Sequence, residues 1–496
     1  MHNGRESHIF ITTAQYRSRT HSMIWIVFLL LGCAVADVKT AASGYSISDS
    51  GWTFMECSDS LTVYASGKPA GRLLHRVRVD TENRSIRQTS SATFGNGGMQ
   101  VDESSIYDWS GALVEARQTM TSPAGENRWL LKKNEHGKWV LRVTAGGMTT
   151  SKEVPVVSSN LMVSRNIMVG VRENTIRQGD IWRDTLFSLT SAKNVAVTTE
   201  CRKIPDDNDS TWVFVNKDEL TKTDEVWEID RRGRLFRREI PPMFTAFRES
   251  SAQQNGSGEE MAVDQLSEMF HIPARRHGDD EHIFVTGDSS LQLHSSVKSF
   301  YRSVDGGFRL CRLPSECSEA ETAVDTSLVR ATPSMQVEAR LIRDLADSLS
   351  RGVENDRCEI VKRVWQYVFR TIEKRNVATF SSALETLSAG YGDCGEHAVT
   401  LGAILRAAGI PARVVLGLVY MGHKKGYYYH AWVMVRQDGG WLFVDPALGR
   451  YPAVNGYIPL VVDDTGEDAA FLARYIGKIE VSYVPRSDDS RGECLE

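Results

Sequence analysis

The sequence predicts an α+β protein in which a β-rich antiparallel first half precedes a C-terminal domain of helices followed by strands. Three observations carry this. Residues from about 43 to 247 read as strands separated by turn signals. Residues 337–372 repeat apolar side chains at helical spacing, and strand-like runs resume after Gly409. A chain of 496 residues exceeds what one hydrophobic core organises, so two or three domains are expected. With 41% hydrophobic and 24% charged residues, it is neither disordered nor polytopic. A net charge of -5 supplies no basic field, so nucleic acid is not an expected partner.

At the start, "MIWIVFLLLGCAVA" (Met23 to Ala36) follows Arg17 and Arg19. The run is short for a bilayer span but suits the apolar region of an export signal, so residues 1–36 are read as a signal peptide or lipoprotein signal. Ala34-Val35-Ala36 would be a cleavage site before Asp37, whereas Leu30-Leu31-Gly32-Cys33 resembles a lipobox that would leave Cys33 lipidated. An uncleaved anchor is the third reading. The expected location is outside the cytoplasm: periplasmic, envelope-anchored or extracellular, with membrane association through the N-terminus.

Residues 37–249 form the expected β-rich antiparallel domain. "RLLHRVRVD" and "SIRQTSSATF" have strand composition, "DWSGAL" and "KNEHGK" read as turns, and "EVWEIDRRGRLFRREI" reads as a hairpin turning at 231–233. The polar stretch 250–262 is a linker by composition. Residues 263–332 read as a small β-containing connecting region. It holds His271, His277 and His282 beside Asp279, Asp280 and Glu281, a spacing that matches no established ligand set, so a solvated loop and no metal are expected. No GxxxxGK and no GxGxxG after a strand occurs, and no cofactor is expected.

The C-terminal domain spans 333–485, ahead of a polar tail at 486–496. Val337, Leu341, Leu345 and Leu349 predict one amphipathic helix, and Val361, Val364, Val368 and Ile372 a second. A short helix over 382–387 follows. The next runs from Cys394 to Ala408 and stops at Gly409 with Pro411 beyond. Strands then come at "ARVVLGLVY", "YYYHAWVMV" and "WLFVD", the last two around the turn 437–440. Tyr427 to Tyr429 and His423-Lys424-Lys425 either edge a cleft or form an exposed loop, the simpler account. Of eight cysteines, Cys33 belongs to the signal region; Cys57, Cys201, Cys311, Cys317, Cys358 and Cys494 form a possible disulfide set whose pairing the sequence leaves open, and Cys311 and Cys317 bracket a short loop suited to a local bridge. Cys358 alone would be a buried residue.

A cysteine is usually a small buried hydrophobe, but Cys394 stands at the start of a helix. Asp393 and Glu396 form a capping-box pattern there, and amides of the first turn stabilise a thiolate. The flanking carboxylates oppose this, so a cationic partner is required. Cys394, Ala398, Leu401, Leu405 and Ala408 share one stripe, aiming the sulfur at whatever the helix packs on. In the hairpin, His430 and Asp445 lie on one side in both admissible registers, opposite if the turn is at 437–438 and diagonal if it is at 438–439. Packed on the helix, that side would complete a row of thiol, imidazole and carboxylate.

Tyr391-Gly392-Asp393-Cys394, Arg406-Ala407-Ala408-Gly409-Ile410-Pro411-Ala412-Arg413, Tyr429-His430-Ala431-Trp432 and Trp441-Leu442-Phe443-Val444-Asp445-Pro446 together resemble the transglutaminase-like superfamily. The resemblance covers roughly 333 to 460 and includes the order of all four motifs. It implies a papain-like core with Cys394 as nucleophile, His430 as general base and acid, and Asp445 orienting the imidazole. The β-rich half carries no comparable match, although β-rich segments also precede this core in exported bacterial relatives. Gly392-Asp393-Cys394-Gly395 stands where animal transglutaminases have Gly-Gln-Cys-Trp, and no EF-hand-type calcium loop is present, so calcium-dependent crosslinking is not expected. Tyr391, Ala389 and Ser388 occupy positions near which papain-like proteases place an oxyanion-binding glutamine. Backbone amides, including that of Cys394, would serve instead.

The implied activity is cysteine-dependent acyl transfer on protein or peptide amides through a thioester. Hydrolysis would make the protein a peptidase, amidase or deamidase, and is favoured. The alternatives are glutamine transamidation and a non-catalytic envelope scaffold.

Overall fold

The computed structural model describes residues 57–485 apart from 66, 96–97, 123–124, 146, 156, 158–161, 207–209, 231–233, 241–243, 249–270, 277, 279–280, 288–290, 319–325, 376–380 and 439. The signal at 1–36, the linker at 250–262, the turn at 231–233 and the tail at 486–496 lie outside the described residues.

The first half builds one 14-stranded antiparallel sheet from two meanders. The first comprises β1 (Cys57–Ala65), β2 (Lys68–Asp80), β3 (Ser85–Phe94), β4 (Met99–Asp108), β5 (Leu113–Ser122), β6 (Gly125–Lys133), β7 (Trp139–Ala145) and β8 (Met148–Glu153). The second comprises β9 (Ile181–Ser188), β10 (Lys193–Lys203), β11 (Thr211–Asp218), β12 (Asp224–Asp230), β13 (Leu235–Ile240) and β14 (Phe244–Arg248). They join where β1 pairs with β14, which leaves β8 and β9 at the edges. The expected turns fall at Asp108 to Ala112 and Asn134 to Lys138. Helix α1 (Met162–Glu173), which the strand reading passed over, links the meanders. Its Ile167, Met168 and Val171 pack on Trp212, Phe214, Trp227 and Ile229.

Period-two alternation gives the sheet a buried face: on β2, Leu73, His75 and Val77 are buried while Arg72, Arg76 and Arg78 are exposed. That face is layered. Leu61, Leu73, Ala92, Val101 and Met120 pair across adjacent strands and merge with the core of the C-terminal domain. Val77, Ile86, Leu131 and Leu141 form a separate apolar cluster. Between these layers runs a polar row, Asp59, His75, Ser90, Glu103 and Gln118, again in register.

The C-terminal part is α+β, as the order of elements predicts. β15 (Ile272–Pro273) joins the sheet described below. β16 (Glu281–Gly287), β17 (Tyr301–Val304) and β18 (Gly307–Leu310) form a four-stranded sheet with β25 (Ile479–Pro485), which ties the connecting region to the end of the domain. Helices α2 (Arg340–Ser350) and α3 (Arg357–Thr371) precede β19 (Glu373–Lys374), α4 (Ala383–Ala389), β20 (Tyr391–Gly392) and α5 (Cys394–Ala407). β21 (Ala412–Met421), β22 (Gly426–Gln437), β23 (Gly440–Val444) and β24 (Tyr457–Val462) follow. β15, β22, β21 and β24 lie side by side in that order, and β23 pairs with β22.

Three expectations need correction. Cys317 bonds Cys358, not Cys311, because the segment after β18 carries Cys317 over the first turn of α3, where the two Cα atoms stand 5.8 Å apart. Cys311 is itself disulfide-bonded, and its amide donates to Phe300 O. Tyr427, Tyr428 and Tyr429 are buried within β22 rather than in an exposed loop. Finally, α5 is buried all round from Cys394 to Arg406, not along one stripe, because β21 and β22 cover one side and α2, α3 and α4 the other.

Candidate active site

The start of α5 is fixed locally. Asp393 accepts from the Gly395 amide at 2.7 Å, while Glu396 Oε2 accepts from the Asp393 amide at 3.0 Å. Glu396 Oε1 also accepts from the Ser381 amide at 3.1 Å. Gly392 is required just before this turn, because a Cβ there would stand 2.4 Å from the Glu396 Cβ. Cys394 therefore opens the helix as its first residue, buried, with a free thiol.

The hairpin takes the turn at 438–439, since Gln437 pairs with Gly440 and Val433 with Val444. One step further, that register sets Trp432 opposite Asp445 and His430 diagonal to it. The diagonal is bridged: His430 Nε2 donates to Asp445 Oδ2 at 2.7 Å. Because the carboxylate only accepts, Nε2 carries the proton and Nδ1 is the basic nitrogen. Beneath them, Trp432 is fully buried and packs near His430, Phe443 and Tyr457. Gly417 makes room for it, as a Cβ there would meet Ile458 O at 2.1 Å and the Trp432 ring at 2.7 Å.

Asp445 is fully satisfied. Oδ2 also accepts from Tyr457 Oη at 2.6 Å, and Oδ1 accepts from the amides of Ala447 and Leu448, each at 2.9 Å. Trp365 Nε1 on α3 donates to the Asp445 carbonyl at 3.0 Å. Burial works to raise this carboxyl, but His430, through charge and hydrogen bond, and Tyr457 hold it well below the usual carboxylate range. Burial lowers His430, against the opposing pull of Asp445.

The helix and hairpin meet around the thiol, where the backbone amide of Ala431, next to His430, favours its charged form. Burial and then Asp393 push that thiol well above its ordinary value, while Ala431 and Lys374 pull it down. Lys374 is the cation that the capping carboxylates call for. It pairs in parallel with Gly392, two residues before the cysteine, and its Nζ donates to Ala447 O at 3.3 Å. Burial brings its ammonium down to about 8, although Asp445, Cys394 and Asp393 favour the charged form. Sequence reasoning missed Lys374, Tyr457 and Trp365. Each reaches the site through long-range packing that leaves no local signal.

Comparison with known proteins adds the following. Residues 343–446, which include Cys394, His430 and Asp445, match the family model described as the transglutaminase-like superfamily. No curated protein matches the chain. Among solved structures, it is similar to a "putative cysteine protease" from Cytophaga hutchinsonii, at 15% identity over 44% of this chain and 80% of that one, with a TM-score of 0.27. It is also similar to a "putative protease" from Parabacteroides distasonis, at 11% identity over 77% of this chain and 68% of that one, with a TM-score of 0.20.

Proposed function

We propose that this chain, which carries a transglutaminase-like core at residues 343–446, catalyses cysteine-dependent acyl transfer on protein or peptide amides, with hydrolysis as the outcome. The reading rests above all on the His430 to Asp445 bond beside a thiol that opens a helix against the Ala431 amide. Cys394 gives its proton to His430 Nδ1, and the resulting imidazolium is stabilised by the Asp445 carboxylate. The sulfur attacks the amide carbonyl. The tetrahedral oxyanion is met by the Cys394 amide and by the Lys374 ammonium. His430 then protonates the leaving amine, the C–N bond breaks and a thioester remains. Water, deprotonated by His430, releases the acid and restores the thiol.

Burial raises the thiol and lowers the imidazole, so it works against a resting ion pair. The ion pair thus forms chiefly when substrate is engaged, with Lys374 and Asp445 flanking it by opposite charges. Export accompanies this reading: the Cys317–Cys358 bridge suits an oxidising compartment, as does a disulfide at Cys311. Peptide or protein is the proposed partner.

The test compares wild type with Cys394→Ala in the presence of a peptide library and a labelled amine. Peptide cleavage, glutamine deamidation and label incorporation are followed together. Thiol-dependent hydrolysis is expected, with a loss of at least about 10³-fold in the variant. Dominant label incorporation would shift the outcome to transamidation. Equal activity in both proteins would remove the mechanism, and no product in any channel would favour a scaffold.

A further inference from the structure

Around Arg450, whose backbone pairs with Asp445, lies a cleft of about 510 Å³ whose lining includes Arg276, Tyr420, Asn455 and Gly456. Among the described residues that line it, two carry guanidinium groups and none is acidic. It shares Val454, Asn455 and Gly456 with an adjoining cleft of about 360 Å³ that adds Arg312 and His282. The one carboxylate there, Glu281, is already paired with Arg275. The combined surface is therefore cationic.

Arg450 connects this surface to the reaction centre. Its backbone exchanges two hydrogen bonds of 3.0 Å with Asp445. Its guanidinium lies over the Tyr457 ring at 5.4 Å and reaches Tyr420 O at 3.5 Å. Tyr457 in turn donates to Asp445, which holds His430. A continuous relay thus runs from cleft to imidazole. The floor is kept open at Gly456, which takes a φ of +79° and where a Cβ would stand 2.9 Å from the Tyr420 Cβ.

A planar guanidinium recognises a carboxylate through paired N–H donors, and both Arg276 and Arg450 line this cleft. We propose that this cleft binds a carboxylate on the substrate, so that the preferred substrates are anionic peptides. The carboxylate is supplied either by an Asp or Glu side chain or by a free C-terminus. This deepens the acyl-transfer reading and rests on it.

Binding separates the two claims, because it needs no turnover. The full chain carrying Cys394→Ala is titrated with fluorescent hexapeptides in three sets. One set carries Asp or Glu with an amidated C-terminus, one carries Asn or Gln with a free C-terminus, and one carries Asn or Gln with an amidated C-terminus. At least one carboxylate set should bind about tenfold more tightly than the neutral set, and that gain should vanish in Arg276→Gln and in Arg450→Gln. Arg450→Lys should recover only part of it, since a single point charge replaces the fork. Arg276→Gln keeps the test decisive if the Arg450 variants unfold. Equal binding of all sets, no binding by either carboxylate set, or a preference that survives both arginine substitutions would overturn the proposal. A bound acidic peptide that wild type leaves intact would instead count against acyl transfer.

Discussion

The inner face of the large sheet and the centre around Cys394 both bury charge, but they arrange it differently. In the sheet, opposite charges touch directly. Arg238 pairs with Glu225, with side chains 7% and 9% exposed, and Arg248 pairs with Asp59 at 2.5 Å. Thr199 Oγ1 donates to Asn216 Oδ1 at 2.9 Å in the same belt. In the centre, Asp445 is held by an imidazole, a phenol and two amides, whereas Lys374 sits on a carbonyl and lends only its field to the thiol. Direct pairing fixes protons in place. In the acyl-transfer reading proposed above, the second arrangement leaves one proton able to move between sulfur and nitrogen while Asp445 stays satisfied. Buried charge alone therefore does not mark a reactive site; what marks it is a titratable pair whose partners are chosen separately.

The sharpest break of this contrast is in the sheet. Arg238→Ala leaves Glu225 buried without its cation and should cost about 3–5 kcal/mol of stability. The double change Arg238→Met with Glu225→Leu should recover most of that. Urea unfolding reads the stability, and turnover per folded molecule should match wild type in both variants. A loss of turnover at full occupancy of the folded state would mean that the belt takes part in the chemistry.

The converse test is at Lys374. Lys374→Met removes the field on the thiol, and the pH profile for alkylation of Cys394 by iodoacetamide should move to higher pH. That readout depends on the electrostatics of the thiol rather than on any substrate. Lys374→Arg should keep most of the wild-type profile. An unmoved profile in Lys374→Met would leave Cys394 without its cation and return oxyanion binding to the backbone amides alone.

How legible each part was follows the range of the forces that fix it. Both ends of α5 could be read because Asp393 and Glu396 at its start, and Gly409 and Pro411 at its end, each act within a few residues. The hairpin was readable up to its register: the turn sequence Gln437-Asp438-Gly439-Gly440 admits two, and pairing along β22 and β23 selects the diagonal one. Lys374 depends on a two-residue parallel pairing of β19 with β20, and Tyr457 on the docking of β24 against β21. Neither leaves a periodic trace. The cysteine pairing failed for the same reason, since Cys317 and Cys358 are 41 residues apart and a nearer partner looked sufficient. The all-round burial of α5 was hidden by Glu396, His397 and Arg406, polar residues that read as a solvent face but are buried with hydrogen bonds.

Glu103 is the sheet's exception, and it gives the finest test. It stands in the polar row with Ser90 Oγ donating to Oε2 at 3.3 Å, and it feels Arg238 and His75 only through their charges. Burial outweighs these and lifts its carboxyl from the ordinary 4.5 to about 7. The folded state therefore holds a proton that the unfolded state has already released, so stability is greatest below about 4.5 and falls as pH rises toward about 7. Because the side chain keeps some contact with solvent, the effect is on the order of 1 kcal/mol. Glu103→Gln should remove that slope, so urea midpoints at pH 5 and pH 7.5 should lie closer together in the variant than in wild type. Parallel midpoints in the two proteins would mean that Glu103 is ionised throughout, matched by Arg238 like the directly paired carboxylates of the belt.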